Sequence, residues 1–212
     1  MLSQEEPKTR LLQVAGEIFA EKGYHAATVR EICQKAEVNI ASVSYYFGDK
    51  EGLYVETVKH AARTCEGDAP LTAWAPGTPP GVKLRGFIRA FLQNVVVNQG
   101  PSWHGVLIMR ELFQPTRACV EFVDGFVRPK FHALLAILNE LLPAEVPEVK
   151  RHLLAFSIIG QCLHYRFTRN VVTLLVGREE FESYTVDQLA DHIAGVSLAT
   201  LERAARPEGG PS

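Results

Sequence analysis

The chain has 212 residues, 47% of them hydrophobic, with a mean hydropathy of +0.01, which is enough apolar side chain to offset the ordering entropy of one domain or of a small module joined to a larger one. Wholesale disorder is excluded, and no stretch approaches the roughly 18 apolar residues of a spanning helix; the start, Met-Leu-Ser-Gln-Glu-Glu-Pro, has no apolar leader core, so the expected location is the cytoplasm, with no membrane partner. A formal charge of −2 and a pI near 6.4 exclude a strongly basic nucleic-acid binder, and residues 1–60 hold seven Lys or Arg against nine Asp or Glu, so any grip on a polyanion must come from local placement.

Along the chain, Pro7 suits a first helical turn and Gly23 a left-handed position just past an end, which predicts a helix over 7–22 with Leu11, Leu12, Ala15, Ile18 and Phe19 inward. Thr28-Val-Arg-Glu31 has the form of a capping box and opens a short helix with Ile32, Cys33 and Ala36 inward. After a three-residue turn, Asn39 caps a third helix through Tyr46, and Gly48-Asp49 stops it and caps a fourth over 50–64. Between 65 and 81, Pro70, Pro76, Pro79 and Pro80 with Gly67, Gly77 and Gly81 exclude a regular helix and predict a loop. The helical period returns over 82–98, 102–113, 118–142 with a kink near Pro129, 148–176 and 185–204, and a short Pro- and Gly-rich tail over 207–212 is expected to be disordered. With no strand alternation, the fold class is all-α, divided into a three-helix domain over 1–54 and a larger helical domain over 55–206. Cys33, Cys65, Cys119 and Cys162 are far apart, without CxxC or zinc-finger spacing, and are each expected to be small buried apolar residues.

Two short helices around a tight turn have the layout that places the second helix in a major groove. That second helix, Ile40-Ala-Ser-Val-Ser-Tyr-Tyr46, is short-sided and polar at Ser42, Ser44, Tyr45 and Tyr46, with Ile40 or Val43 as its inward anchor and Phe47 as core. The amides that follow Thr28, and those at the start of the fourth helix beside Lys50, form natural phosphate sites. Arg30 can read a base or phosphate, or serve as a solvated helix charge. The DNA-facing candidates are therefore Thr28, Arg30, Asn39, Ser42, Ser44, Tyr45, Tyr46 and Lys50.

The run from Ala36 to Leu53, Ala-Glu-Val-Asn-Ile-Ala-Ser-Val-Ser-Tyr-Tyr-Phe-Gly-Asp-Lys-Glu-Gly-Leu, resembles the signature of TetR/AcrR-type regulators, and with the Phe19, Gly23, Thr28 and Ile32 frame the resemblance extends from about Thr9 to Val58. Glu37 stands where that family commonly has Gly, and Ser44 where it commonly has Tyr. The resemblance implies a helix-turn-helix domain followed by a helical ligand-binding and dimerisation domain, the latter similar to a CerR-type C-terminal domain. It also implies a repressor that binds a palindromic double-stranded operator as a homodimer and answers to a small-molecule inducer. On the same basis Thr28, Tyr46 and Lys50 touch the DNA backbone, while Ser42, Ser44 and Tyr45 face base edges.

Farther along, residues 102–113 are apolar almost all round, which predicts burial, yet Arg110 falls on a wheel among Trp103, Val106, Leu107 and Phe113. Either an acid such as Glu111 or Asp124 pairs with it, or it recognises an anionic or carbonyl-bearing ligand. Over 148–176, Ser157, Gln161, His164 and Thr168 form a polar stripe that either lies in a dimer seam beside Gly160 or lines a cavity. Ala190, Ala194, Gly195, Ser197 and Ala199 in the last helix permit close approach of another helix, across a dimer or within the domain. Aromatic residues hint at an apolar or aromatic ligand, or at a well-packed core; the ligand-facing candidates are Trp103, Leu107, Arg110, Phe113, Phe131, Gln161, His164 and Tyr165. No nucleophile–base pair, HExxH, ExxH or phosphate loop is present, so neither an enzyme nor a cofactor or metal is expected; His104, His132, His152 and His164 have no spacing that predicts convergence. A helical adaptor is the remaining alternative.

Overall fold

In a computed structural model, residues 6–65, 74–97 and 102–205 are described, and among them there are helices and no strands. The helices are α1 (Pro7–Ala26), α2 (Val29–Lys35), α3 (Ala41–Phe47), α4 (Lys50–Cys65), α5 (Pro80–Leu92), α6 (Ser102–Phe113), α7 (Arg117–Phe122), α8 (Arg128–Leu141), α9 (Glu148–Phe167), α10 (Arg169–Val176), α11 (Arg178–Glu182) and α12 (Val186–Ala204). Residues 74–79 precede α5 without a helix, but the expected loop is shorter at both ends: Cys65 closes α4, and Pro80 and Gly81 form the first turn of α5, where a proline needs no amide partner; residues 66–73 of that loop and the 207–212 tail lie outside the described residues.

The chain divides into two units. The first holds α1–α4 together with α6 and α7. Its core joins Leu11, Ala15 and Phe19 of α1, Ile32 of α2, Val43 of α3, Leu53, Val58 and Ala61 of α4, Trp103 and Leu107 of α6 and Ala118 of α7. Each large side chain sealed there contributes about 1.5–3 kcal/mol. Phe19 meets the edge of Tyr54 at 4.8 Å between ring centroids.

The second unit is built around α5, whose Leu84, Phe87, Ile88 and Leu92 are fully buried against α8, α9 and α12. Arg85 pairs with Asp191 and Arg89 with Asp187 along the exposed α5–α12 edge, where solvent screens both bridges. A reciprocal capping box starts α12: Thr185 Oγ1 accepts from the Gln188 amide at 3.2 Å and Gln188 Oε1 accepts from the Thr185 amide at 2.9 Å.

Four further expectations change. The single helix over 148–176 is broken at Thr168, where φ −106° and ψ 17° separate α9 from α10. The kink expected near Pro129 is replaced by a π-helical turn over Val123–Val127, with Pro129 in the first turn of α8; a second π turn, Gln93–Val97, follows α5. Rather than being buried all round, α6 hides Trp103, His104, Leu107 and Glu111 and leaves Phe113 77% exposed, with Val106 and Leu112 also exposed. Cys33 and Cys162 are buried as expected, and burial pushes the Cys162 thiol up to about 12, whereas Cys65 and Cys119 are only partly covered.

Candidate nucleic-acid interface

The interface starts with the caps that orient α2 and α3. Thr28 Oγ1 accepts from the Glu31 amide at 3.2 Å, but the Glu31 carboxylate pairs with Lys22 of α1 instead of returning to Thr28, so only half of the capping box forms. In the turn that follows, Val38 N donates to Cys33 O at 3.1 Å and Glu37 takes φ +55°, a left-handed conformation that a side chain with Cβ resists. Asn39 then caps α3 as its position predicted, Oδ1 accepting from the Ala41 amide at 2.9 Å.

Val43 alone among α3 residues is buried, with Phe47 half-buried against the same core, so Val43 and not the exposed Ile40 anchors the helix. The remaining surface turns outward: Ser44, Tyr45 and Tyr46 are exposed, Tyr45 to 82%, and Ser42 is half-exposed. The tyrosine rings brace each other edge-to-face at 4.9 Å. Seven helical residues span about 10 Å, a length that a major groove about 12 Å wide admits.

Gly48 at φ +82° ends α3, and Asp49 Oδ1 accepts from the Gly52 amide at 2.8 Å to begin α4. Gly52 tolerates no side chain, since a Cβ there would stand 2.0 Å from the Phe47 carbonyl oxygen. Lys50 is held at this helix start by donating to the His25 carbonyl at 3.3 Å and lying 4.7 Å over the Tyr24 ring. Its charge thus sits beside the amides of the first α4 turn, where an anion gains most. Lys22 and Lys35 are neutralised by Glu31 and Glu17, while Arg30 is exposed and has no ion pair among the described residues. A locally placed cation and two helix starts let a domain of net negative charge approach a phosphate backbone.

The residues expected to face a ligand divide between the two units. In the first, Leu107 is fully buried core and Trp103 packs so closely on α1 that a Cβ on Gly16 would come 2.2 Å from the indole. Arg110 takes neither expected partner: Nε donates to Ala20 O at 2.9 Å and Nη2 to Glu21 O at 3.0 Å, saturating carbonyls in the α1 turn that breaks at Gly23. The acid beside it, Glu111, is the group buried, at 1% exposure: Tyr54 Oη donates to Oε1 at 2.6 Å, and the Thr116 amide and hydroxyl donate to Oε2. Phe113 faces outward.

In the second unit Phe131 stacks on Phe156 at 5.3 Å and Tyr165 is half-buried against the core. The polar stripe satisfies itself: Ser157 donates to Leu153 O, Gln161 to Ser157 O and Thr168 to His164 O, and both Ser157 and His164 are exposed. His104 was singled out in the sequence only as one of four scattered histidines; its 1% exposure depends on α1 and α4 packing over α6, which no local pattern encodes. Among the described residues no group of three metal-ligating side chains forms, and no helix is long and apolar enough to cross a membrane.

Comparison with known proteins bears on both parts of the chain. Residues 11–57 match the bacterial regulatory proteins of the tetR family, and residues 80–201 match the C-terminal domain of the HTH-type transcriptional dual regulator CecR, which names the C-terminal subgroup. CecR of Shigella flexneri is 25% identical over 187 residues, 84% of this chain and 83% of that protein. A TetR-like transcriptional regulator from Rhodococcus sp. RHA1 superposes with a TM-score of 0.60 at 20% identity, covering 95% of this chain and 99% of its own. AibR, solved in complex with isovaleryl coenzyme A and operator DNA, gives a TM-score of 0.61 at 19% identity over 90% of this chain and 97% of its own.

Proposed function

Because this chain belongs to the TetR family of DNA-binding transcriptional regulators and carries a CecR-type C-terminal domain, we propose that it is a cytoplasmic repressor that binds a palindromic operator as a homodimer and releases it on binding a small molecule. The observation that carries this reading is α3: one buried anchor, Val43, and an outward face of Ser42, Ser44, Tyr45 and Tyr46 between two capped helix starts. Ser42, Ser44 and Tyr45 meet base edges. Thr28, Tyr46 and Lys50 bind phosphates on either side, Arg30 adds a mobile charge, and Asn39 sets the angle at which α3 enters the groove.

A second copy supports the palindrome. On α9, Val149, Leu153, Phe156, Gly160 and Phe167 form an exposed stripe at helical spacing, and α12, packed beside it, exposes His192, Gly195, Val196 and Ala199. These adjoining faces suit a four-helix seam between protomers, and Ser157, Gln161 and His164 fall along it, which favours the seam over a cavity for the polar stripe. Ligand responsiveness is supported by AibR, whose structure holds both an acyl coenzyme A and DNA. A ligand would loosen the operator by no more than its preference for the non-binding arrangement.

The test is fluorescence anisotropy on the protein's own upstream DNA against scrambled DNA across a salt series. Specific binding is expected, with Lys50→Ala lowering the salt slope by about 1 and weakening both DNAs alike. Equal, weak binding to both DNAs, unaffected by Tyr46→Ala and Lys50→Ala, would overturn the reading.

A further inference from the structure

Ile40 stands at the head of α3 without joining the core on which that helix rests. Val43, three residues on, is 2% exposed and holds the helix to the domain, whereas Ile40 is 55% exposed. Its position is nonetheless fixed. At φ −58° and ψ −30° it already has helical backbone, its carbonyl accepts from the Val43 amide at 3.2 Å, and Asn39 Oδ1 ties down the next residue by accepting from the Ala41 amide. Among the described residues of α1–α4 and the turns between them, the exposed large hydrophobic side chains are Ile40, Tyr45 and Tyr46, all at the head of α3 or on it. Scattered apolar side chains are ordinary on a protein surface, but these are gathered on the one helix turned toward DNA. The tyrosines carry hydroxyls that can hydrogen-bond; Ile40 carries nothing polar.

On the helix surface Ile40 lies one turn before Ser44, and Ala41 one turn before Tyr45, so the four share a single exposed strip. What Ile40 can meet there follows from its chemistry. Without a donor or acceptor it cannot replace water on the nitrogen and oxygen groups of a base edge, and pressing it against them would strand those groups unpaired. The major groove displays one apolar group, the C5-methyl of thymine. Resting on the reading above that α3 enters the groove, we infer that Ile40 is a specificity-determining residue that packs on a thymine methyl in each half of the operator. A β-branched side chain on helical backbone has few rotamers to lose, so ordering it against DNA costs little. The contact selects T·A at its position against C·G, since cytosine lacks the methyl and presents an amino group instead.

The experiment titrates the full-length protein onto its own upstream DNA prepared either with thymidine or with deoxyuridine throughout, a change that removes the methyl and leaves every hydrogen-bonding group in place. The native protein is expected to bind the deoxyuridine DNA at least about fourfold more weakly, the effect of about one buried methyl. Ile40→Ser binds the thymidine DNA more weakly and loses that preference, while its salt slope stays native because no phosphate contact is removed. Ile40→Val, one methylene shorter, shows an intermediate preference and decides the matter if Ile40→Ser binds too weakly to titrate; an undiminished preference there overturns the contact. Equal native affinity for the two DNAs also overturns it, as does a deoxyuridine penalty of the same size in Ile40→Ser, which assigns the penalty to DNA shape or to another side chain. In those cases the regulator reading stands. If the native protein does not distinguish its thymidine upstream DNA from scrambled DNA, the operator reading fails and the contact falls with it.

Discussion

Replacing Glu37 by glycine should stabilise the protein, and the reason lies wholly in the backbone. Glu37 occupies φ +55° in the turn between α2 and α3 with its side chain exposed. Holding a residue with Cβ in that region costs about 1–2 kcal/mol, whereas glycine enters it freely. Against this, glycine gives the unfolded chain more conformations, a loss of about 0.5–1 kcal/mol. The balance for Glu37→Gly is a gain of roughly 0.5–1 kcal/mol, read as a urea midpoint about 0.3 M higher with an unchanged slope. Glu37→Ala removes the same charge and keeps Cβ, so its midpoint should stay near that of the native protein. If Glu37→Ala stabilises as much as Glu37→Gly, the effect belongs to the charge and the strain argument is refuted.

Tyr54→Phe removes a 2.6 Å hydrogen bond to the buried Glu111 and should lower stability by about 1–3 kcal/mol; in a thermal double-mutant cycle its effect should be less than additive with Glu111→Gln. The depressed His104 value, about 4 against an ordinary 6.5, means that the unfolded chain binds the proton first. His104 therefore leaves stability untouched above pH 6.5 and removes it as pH falls from 6.5 towards 4, by up to about 3 kcal/mol. Urea midpoints across that window should flatten in His104→Phe, and parallel curves would sink the assignment. Phe156→Asp places a charge on the exposed α9 stripe and should convert the proposed dimer to monomer by sedimentation while leaving the fold intact.

The helices that read DNA were legible in the sequence because their determinants are local. Thr28, Asn39, Gly48 and Asp49 act within one turn of where they stand, while the period left Ile40 and Val43 both possible as the inward anchor and burial of Val43 chose between them. Helical periodicity likewise identified every long helix, yet it cannot say which neighbour a face meets. A wheel marked Arg110 as the costly charge in α6; its partners are carbonyls 89 and 90 residues away in α1, and the adjacent Glu111 is the side chain the core encloses. In the same way α6 and α7 group with the reading helices, the last turn of α9 breaks at Thr168, and His104 loses its water under α1 and α4. The sequence by itself therefore determined the caps, the helical class and the outward face of α3, since each follows from bonds spanning three or four residues. Only the tertiary structure decided which polar groups are buried and what satisfies them, because that depends on helices brought together from distant parts of the chain.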